Sequence, residues 1–559
     1  MHPSIPFFLA PIVLAIAGPR LRRVLQIAVP LAAFFLLRAT APLGAGRSEI
    51  ILSFMGYGFI PIRMDALALL FAYTFIIFGL LANIYGLHAT DRRTPVASNI
   101  YIGSSIGAVL AGDLVTLFIF WEIMALSSAL LIWNKDRAAS VGAMFRYLLV
   151  HLTGGLFFFS GILIKLIAKE AMTFEALGWS TASQLIFIGF AVNAAIPPLH
   201  AWLSDAYPEG TPTGSLYLSC FTTKVAVYAF ARGFAGSEIL IWLGAFAAVY
   251  GVIFALMEND TRRLLAYHII CQVGYMLCGI GIGSAIGVNA GTGHAIGNIL
   301  FKGLLFMATG AIIEATGKSK LSELGGLASR MPLVFSFYMV GTLAISGAPL
   351  LNGYITKGLL LKSAAEAHMG WLELLLLLVA VGTFLSIGCK LAYFAFFGKP
   401  CDVKIKPVPA NSHVAMAATS ILCFSIGIFP NTFIPLLPFP QHGGFYDAAH
   451  VIHNLQLLLG TYLGFLFIRQ YLHTEDTLTL DTDWFYRRAS ELFIKGICFP
   501  IHFTQLLVQQ AWTLSIALLH THISEKFLPQ RMTPLSYPLL WMTTAFAIAG
   551  FTLLILKFS

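Results

Sequence analysis

The sequence predicts an all-α polytopic membrane protein, and three observations carry that prediction. Of the 559 residues, 58% are hydrophobic and only 11% charged, whereas an ordinary soluble domain is about a quarter charged. Mean hydropathy is +0.82, which is more apolar surface than a soluble core can enclose. Apolar runs long enough to cross a hydrocarbon core of about 30 Å recur along almost the whole chain. These runs are continuous, whereas barrel strands would alternate apolar and polar residues, so a membrane β-barrel is excluded.

The elements follow in order. A first run, near residues 3–18, is followed by Arg20, Arg22 and Arg23 and preceded only by His2. Charges on that side fit a retained first helix with its N-terminus outside, not a signal peptide. Further runs lie near 24–40, 64–88, 97–112, 113–133, 141–168, 182–203, 213–235, 237–257, 263–285, 288–316, 331–367, 371–397, 411–430, 448–470 and 534–557. With that orientation the inner loops carry Arg92/Arg93, Lys135/Arg137, Arg262/Arg263, Lys318/Lys320/Arg330 and Lys399/Lys404/Lys406. The outer loops are poorer, with Arg47, Lys169 and Arg232 as main members. The excess of 34 Lys+Arg over 25 Asp+Glu therefore reads as orientation in a cell inner membrane, not as a nucleic-acid surface.

Two spans are interrupted. Asn193-Ala-Ala-Ile-Pro-Pro-Leu-His200 places Pro197 and Pro198 inside an apolar run, and Gly347-Ala-Pro-Leu-Leu-Asn-Gly353 places Pro349 in another. Proline removes a backbone donor and clashes with the preceding turn, so each span either kinks or unwinds. Free backbone groups at membrane depth persist only when buried in protein or facing water, and paired breaks point to a transport pathway. A weak repeat follows the breaks: Thr223–Phe230 and Cys389–Phe396 align Lys224 on Lys390. An odd number of helices between them implies halves of opposite orientation. The division expected is 1–96 (N-terminal helices), 97–236 and 237–398 (two five-helix repeats), 399–470 (flanking helices) and 471–559. That last part holds a polar linker, His473–Asp483, a mixed segment at 484–528 and a final helix. The mixed segment suits an amphipathic helix on the membrane or a partner, with a weakly apolar crossing helix as the competing reading.

Several polar residues lie too deep. Glu122 sits near the centre of an apolar run, where a carboxylate must face the bundle interior and find a partner or water. Lys224 is flanked by apolar residues and is placed to take and release protons, with snorkelling to the interface as the plainer alternative. His294, Asn298 and Lys302 recur every four residues and so share one helix face, a stripe able to hold a hydrogen-bonded chain. Lys357 follows the second break. Lys390 continues the series of path lysines toward the C-terminus, although, close to loop residue Lys399, it is equally a snorkelling lysine. Arg146, His151 and Lys165 read as interface or packing residues, and Gly279, Gly283 and Gly287 as close helix contacts. Seven cysteines lack ligand spacing, and no P-loop or dinucleotide fingerprint occurs. No cofactor, no metal and no catalytic redox site are expected.

Four segments together resemble a known family: Asp113-Leu-Val-Thr-Leu-Phe-Ile-Phe-Trp-Glu122; Pro198-Leu-His-Ala-Trp-Leu-Ser-Asp205; Arg263-Leu-Leu-Ala-Tyr267 with Gln272-Val-Gly-Tyr-Met276; and His294 through Lys302-Gly-Leu-Leu-Phe306. They look like the antiporter-like subunits of Mrp-type cation/proton antiporters, respiratory complex I and membrane-bound hydrogenases, over about residues 60–430. The tail after Asp481 is most similar to homologues of the D-type Mrp subunits. The resemblance implies about fourteen core helices in two inverted five-helix units, and a proton path across the midplane. It implies that Glu122 modulates nearby lysines, that Lys224 relays in the first half, that His294 and Lys302 link the halves, and that Lys357 is the terminal exchange residue. Asn193 stands where the family usually has the lysine partner of Glu122, which must then pair elsewhere, with Lys224 directly, or be partly protonated. Asn298 replaces a second histidine and can order water without carrying a proton. The function implied is a proton-translocating component of a multisubunit, Na+/H+-type antiporter, with other hydrophobic membrane subunits as partners. The alternatives are the membrane arm of a redox-driven complex and a transport-inactive structural role.

Overall fold

The computed structural model describes residues 2–40, 46–54, 57–134, 137–400, 403–441, 444–469 and 481–482, with isolated positions between 484 and 515. The chain divides into one unit of Met1–Asp483 and another of Trp484–Ser559. The polar stretch 473–480, nearly all of the mixed segment 484–528 and the final run 534–557 lie outside the described residues, as do Cys401 and Cys498.

The first unit opens with α1 (Ile5–Ile16) and α2 (Pro19–Thr40), followed by an antiparallel hairpin, β1 (Ser48–Phe54) and β2 (Tyr57–Met64). Then come α3 (Ala66–Tyr85), α4 (Arg93–Leu110), α5 (Leu114–Ile132) and α6 (Ala138–Ile167). Nothing in the apolar pattern announces the hairpin. It is held by charge: buried Arg63 donates to Glu49 at 2.7 Å and to Glu175 at 3.3 Å, and Arg47 reaches the same two carboxylates. Burial opposes the Glu49 carboxylate, but hydrogen bonds from Arg63 and Arg47 hold it below its usual range. Asp113 joins hairpin to bundle, capping α5 through Thr116 N at 2.8 Å and accepting from Ile60 N at 2.7 Å.

The first interrupted span resolves into α7 (Thr181–Asn193), which starts in a Ser180/Ser183 capping box, and α8 (Ala201–Ala206). The next expected run, 213–235, is also broken, into α9 (Pro212–Leu218) and α10 (Thr222–Gly233). After α11 (Glu238–Met257) come α12 (Thr261–Ile282) and α13 (Ala285–Thr316), each 94% buried over its apolar window. A helix apolar all round belongs inside a bundle. Gly279 and Gly287 do face one another closely, each placing a would-be Cβ against the other's carbonyl, whereas Gly283 is the turn residue, with φ 74°.

The second half contains α14 (Leu327–Arg330), α15 (Pro332–Ser346), α16 (Asn352–Glu366) and α17 (Gly370–Thr383), which continues in π-type winding to Phe397. It closes with α18 (Ala410–Ile428), α19 (Pro430–Phe433) and α20 (Ala448–Ile468). Among the described residues ten helices are long and apolar enough to cross a membrane, and α1, α7 and α15 are shorter apolar helices. Unbroken helices alone therefore do not reach the expected count of about fourteen, because the interrupted spans are divided into short helices. The outer surfaces are apolar, as lipid contact requires, with Leu374 and Leu378 each 69% exposed on α17.

Candidate functional site

Proline and backbone strain define the breaks that organise the buried polar residues. Between α7 and α8, Ala195 lies at φ 55°, and Pro197 and Pro198 are joined by a cis peptide. Between α15 and α16, Gly347 is at φ 83° and Leu350 at φ 69°. A left-handed conformation costs an L residue roughly 1–2 kcal/mol, so packing must hold Ala195 and Leu350 in place. At the second break α18 does so: a Cβ on Gly427 would collide with the Leu350 carbonyl.

The third interruption, at Ser219–Phe221, has no proline or glycine to announce it. Lys224 supplies the compensation. Fully buried, its Nζ donates to the Ser219 carbonyl at 2.8 Å and to Thr223 Oγ1 at 3.3 Å. The expected relay lysine of the first half thus begins a helix immediately after a break, as Lys357 follows the break before α16.

From Lys224 a line of buried basic groups runs through the bundle. Lys302 on α13 donates to the Leu265 carbonyl at 3.0 Å and lies within electrostatic range of Lys224. His268 on α12, bonded to Ser386 Oγ at 2.6 Å, faces the charges of both Lys302 and Lys357. His294 contacts Gln272 Oε1 at 3.1 Å and Thr356 Oγ1 at 3.0 Å. Gln272 Oε1 only accepts, so Nε2–H donates to it and Nδ1 accepts from the threonine hydroxyl. One turn on, the buried amide of Asn298 has no hydrogen-bond partner. Lys357 Nζ sits 5.0 Å from the Tyr275 ring centroid, beside a cleft lined by Ser346, Asn454 and Thr461, with no hydrogen-bond acceptor. Among the described residues no carboxylate pairs with Lys224, Lys302 or Lys357. A neutral amine still donates to a carbonyl, so a proton can leave Lys224 or Lys302 without breaking its contact.

Glu122 stands apart from this line. Its carboxylate packs on Gly155 of α6, where a Cβ would collide with Oε1, and Oε1 is buried without a partner. The direct Glu122–Lys224 pair does not form, because Lys224 is engaged with the interrupted backbone. Asn193 bonds instead to His151, Nδ1 to Oδ1 at 2.8 Å. His151, expected only to pack or to lie at the interface, is 1% exposed, between the rings of Tyr147 and Trp202. Arg146 and Lys165 do make ion pairs, with Asp205 and Glu170. Lys390 is not brought together with the others; it donates to the carbonyls of Leu256 and Glu258 at 2.6 and 2.8 Å, closing the end of α11.

Sequence reasoning missed His268, a single histidine on an apolar helix, and Asp481. The Asp481 carboxylate is buried and accepts from Tyr250 at 2.5 Å and Tyr267 at 2.6 Å, and from Ser204 at 3.3 Å, and it contacts His200 Nε2 at 3.1 Å. The chain after α20 is thereby fixed at the first break, where Thr482 Oγ1 also reaches the Pro198 carbonyl at 3.4 Å. A carboxylate surrounded by hydroxyls in a polar stretch gives no sequence signal, because its partners lie more than two hundred residues away.

Residues 111–386 match the family described as NADH:quinone oxidoreductase/Mrp antiporter, transmembrane. That stretch of the chain belongs to this antiporter-like family. It is 30% identical over 403 residues to a probable K(+)/H(+) antiporter component of the A/B type from Rhizobium meliloti, a match covering 66% of this chain and 40% of the relative. Other curated relatives, named as Na(+)/H(+) antiporter components of the A or A1 type, come from Alkalihalophilus pseudofirmus and Staphylococcus epidermidis and are likewise spanned over about half their length. Two solved structures share the fold. A chain of the Mrp complex from Dietzia aligns with TM-score 0.72 and 22% identity, over 83% of this chain and 98% of that one. A chain of the membrane-bound sulfane sulfur reductase, an archaeal respiratory membrane complex, aligns with TM-score 0.70 and 22% identity, over 98% of this chain and all of that one. This antiporter-like chain is a multi-pass membrane protein.

Proposed function

We propose that this antiporter-like chain conducts protons within a multisubunit cation/proton antiporter of the cell inner membrane, alongside other hydrophobic subunits. The observation that carries the reading is the row of fully buried bases without carboxylate partners, Lys224, Lys302, His268 and His294, leading from an interrupted helix to Lys357 beyond the second break. Buried ionisable groups at membrane depth are costly and mark ion pathways by default. Glu122 would set the charge state of the first half, and Asn298 would order water between His294 and Lys302. The antiporter names of the relatives support a Na+ or K+ gradient as the coupled partner. The arginine-rich loops support an N-terminus on the outer side. The division into two five-helix repeats rests on the Lys224/Lys390 alignment; the two lysines differ locally, one on α10 and one in the π-type segment.

A second reading has its own observation. The sulfane sulfur reductase chain matches this protein over nearly its full length, so a redox module could drive the same path. Mass spectrometry of the complex, gently purified from its native membrane, separates the two. Small hydrophobic partners alone support the antiporter, and flavin- or iron–sulfur-bearing partners support the pump arm. Proton flux in proteoliposomes tests both readings against an inactive scaffold: Lys224→Ala is expected to abolish flux while assembly is retained. Wild-type-like flux in that variant would contradict the proposed path, and no flux in the wild type would favour the scaffold.

A further inference from the structure

We propose that His151 is the proton-exchanging partner of Glu122, oriented by Asn193, and so supplies the basic partner that Asn193, standing in place of a lysine, cannot give to Glu122. Glu122 lies against Gly155, and His151 precedes that glycine by one turn on the same buried face of α6. The two sites are therefore about 6 Å apart along the helix. Each ends in a buried atom with no hydrogen-bond partner, Oε1 of Glu122 and Nε2 of His151. Asn193 Oδ1 accepts from His151 Nδ1–H, which leaves Nε2 as the basic nitrogen of a neutral ring. The ring cannot turn freely. Tyr147 lies 4.1 Å away by centroids and Trp202 4.5 Å, and Trp202 is itself fixed by donation to the Val192 carbonyl at 2.9 Å.

The remaining ionisable groups around the ring are accounted for. On α6, Tyr147 bonds to Ser128 at 2.7 Å, and Arg146 is paired with Asp205 of α8. Among the described residues, neither α7 nor the rest of α8 places a charge on the ring, and the carboxylate that reaches this face of α6 is Glu122 of α5, at Gly155. The exchange breaks the O–H bond of the Glu122 carboxylic acid and forms N–H at His151 Nε2, directly or through one water, leaving a carboxylate and an imidazolium. Reversal returns the proton.

The inference deepens the proton-conducting reading and rests on it, so its test has a readout that does not depend on flux. Difference infrared spectroscopy of the purified complex identifies the Glu122 carboxylic C=O band as the one lost in Glu122→Gln. In His151→Gln that band is expected to persist to higher pH by about one unit, a tenfold change in proton affinity, because the carboxylate has lost its cation. Introducing Asn193→Lys into the His151→Gln background supplies a cation from α7 and is expected to return the band toward its wild-type midpoint. An unchanged midpoint in a folded, assembled His151→Gln complex overturns the inference whatever the flux. With conducting wild type, at least tenfold slower flux in His151→Gln, recovered in the double variant, supports it, and full flux in His151→Gln overturns it while leaving the Lys224 pathway standing.

Discussion

At the scale of single residues, the buried bases are held by main-chain carbonyls and hydroxyls, and this determines what each substitution should do. Lys224 fills two roles, as a titratable group and as the donor that satisfies Ser219 at an interrupted helix. Lys224→Gln keeps a donor but not a titratable proton, so it should preserve assembly, measured by co-purification of partner subunits, and lose at least tenfold in proton flux. His268→Ala should slow flux too, because His268 is within reach of the charges of both Lys302 and Lys357. Gly155 is fixed by Glu122. Gly155→Val drives methyl groups into the carboxylate and should cost about 1–3 kcal/mol by overpacking, read as a lower unfolding midpoint in detergent. Glu122, Lys224, His294, Lys302 and Lys357 were all legible in the sequence, because charge in an apolar run is conspicuous. His151 was expected to pack or lie at the interface and is buried between two rings; its bond to Asn193 was not legible, because pairing across helices leaves no periodic trace.

At the scale of elements, continuous apolarity made nearly every long helix legible, and the prolines announced two breaks. The hairpin at 48–64 escaped because its strands lack the long apolar runs that mark the helices, and what holds them includes Arg63 and Glu175, far apart in sequence. The break before α10 escaped because it carries no breaker residue; its backbone is satisfied by a lysine side chain instead. Residues 481–482 are attached at the first break through Asp481. Burial alone would raise that carboxyl, but hydrogen bonds from His200, Tyr250 and Tyr267, with the charge of His200, hold it well below the usual carboxylate range. A depressed native value means the attachment contributes fully above the unfolded carboxylate range and is lost only as pH falls through the native value. Residues 481–482 should therefore stay attached throughout the neutral range. Asp481→Asn removes the charge at every pH and should speed limited proteolysis after residue 469 several-fold, with the core fragment unchanged. Equal cleavage rates in wild type and variant would show that Asp481 does not hold the segment.

At the scale of the whole molecule, the bundle places its most buried helices, α12 and α13, between two sets of interrupted helices, and the pathway residues line that centre. The sequence led to the expectation of a D-type Mrp likeness for the part after Asp481, whereas the antiporter relatives above are named as A or A/B type. Lys302 occupies the midpoint, between Lys224 and His268, so a single proton path joining the two halves must pass it. The decisive measurement is proton flux through the purified, reconstituted complex carrying Lys302→Ala. Loss of flux, with normal assembly and with the Lys224→Ala/Lys302→Ala double variant no slower than either single one, is the expected result. Flux equal to wild type in Lys302→Ala would rule out a joined path, because protons would then cross without passing the bundle centre.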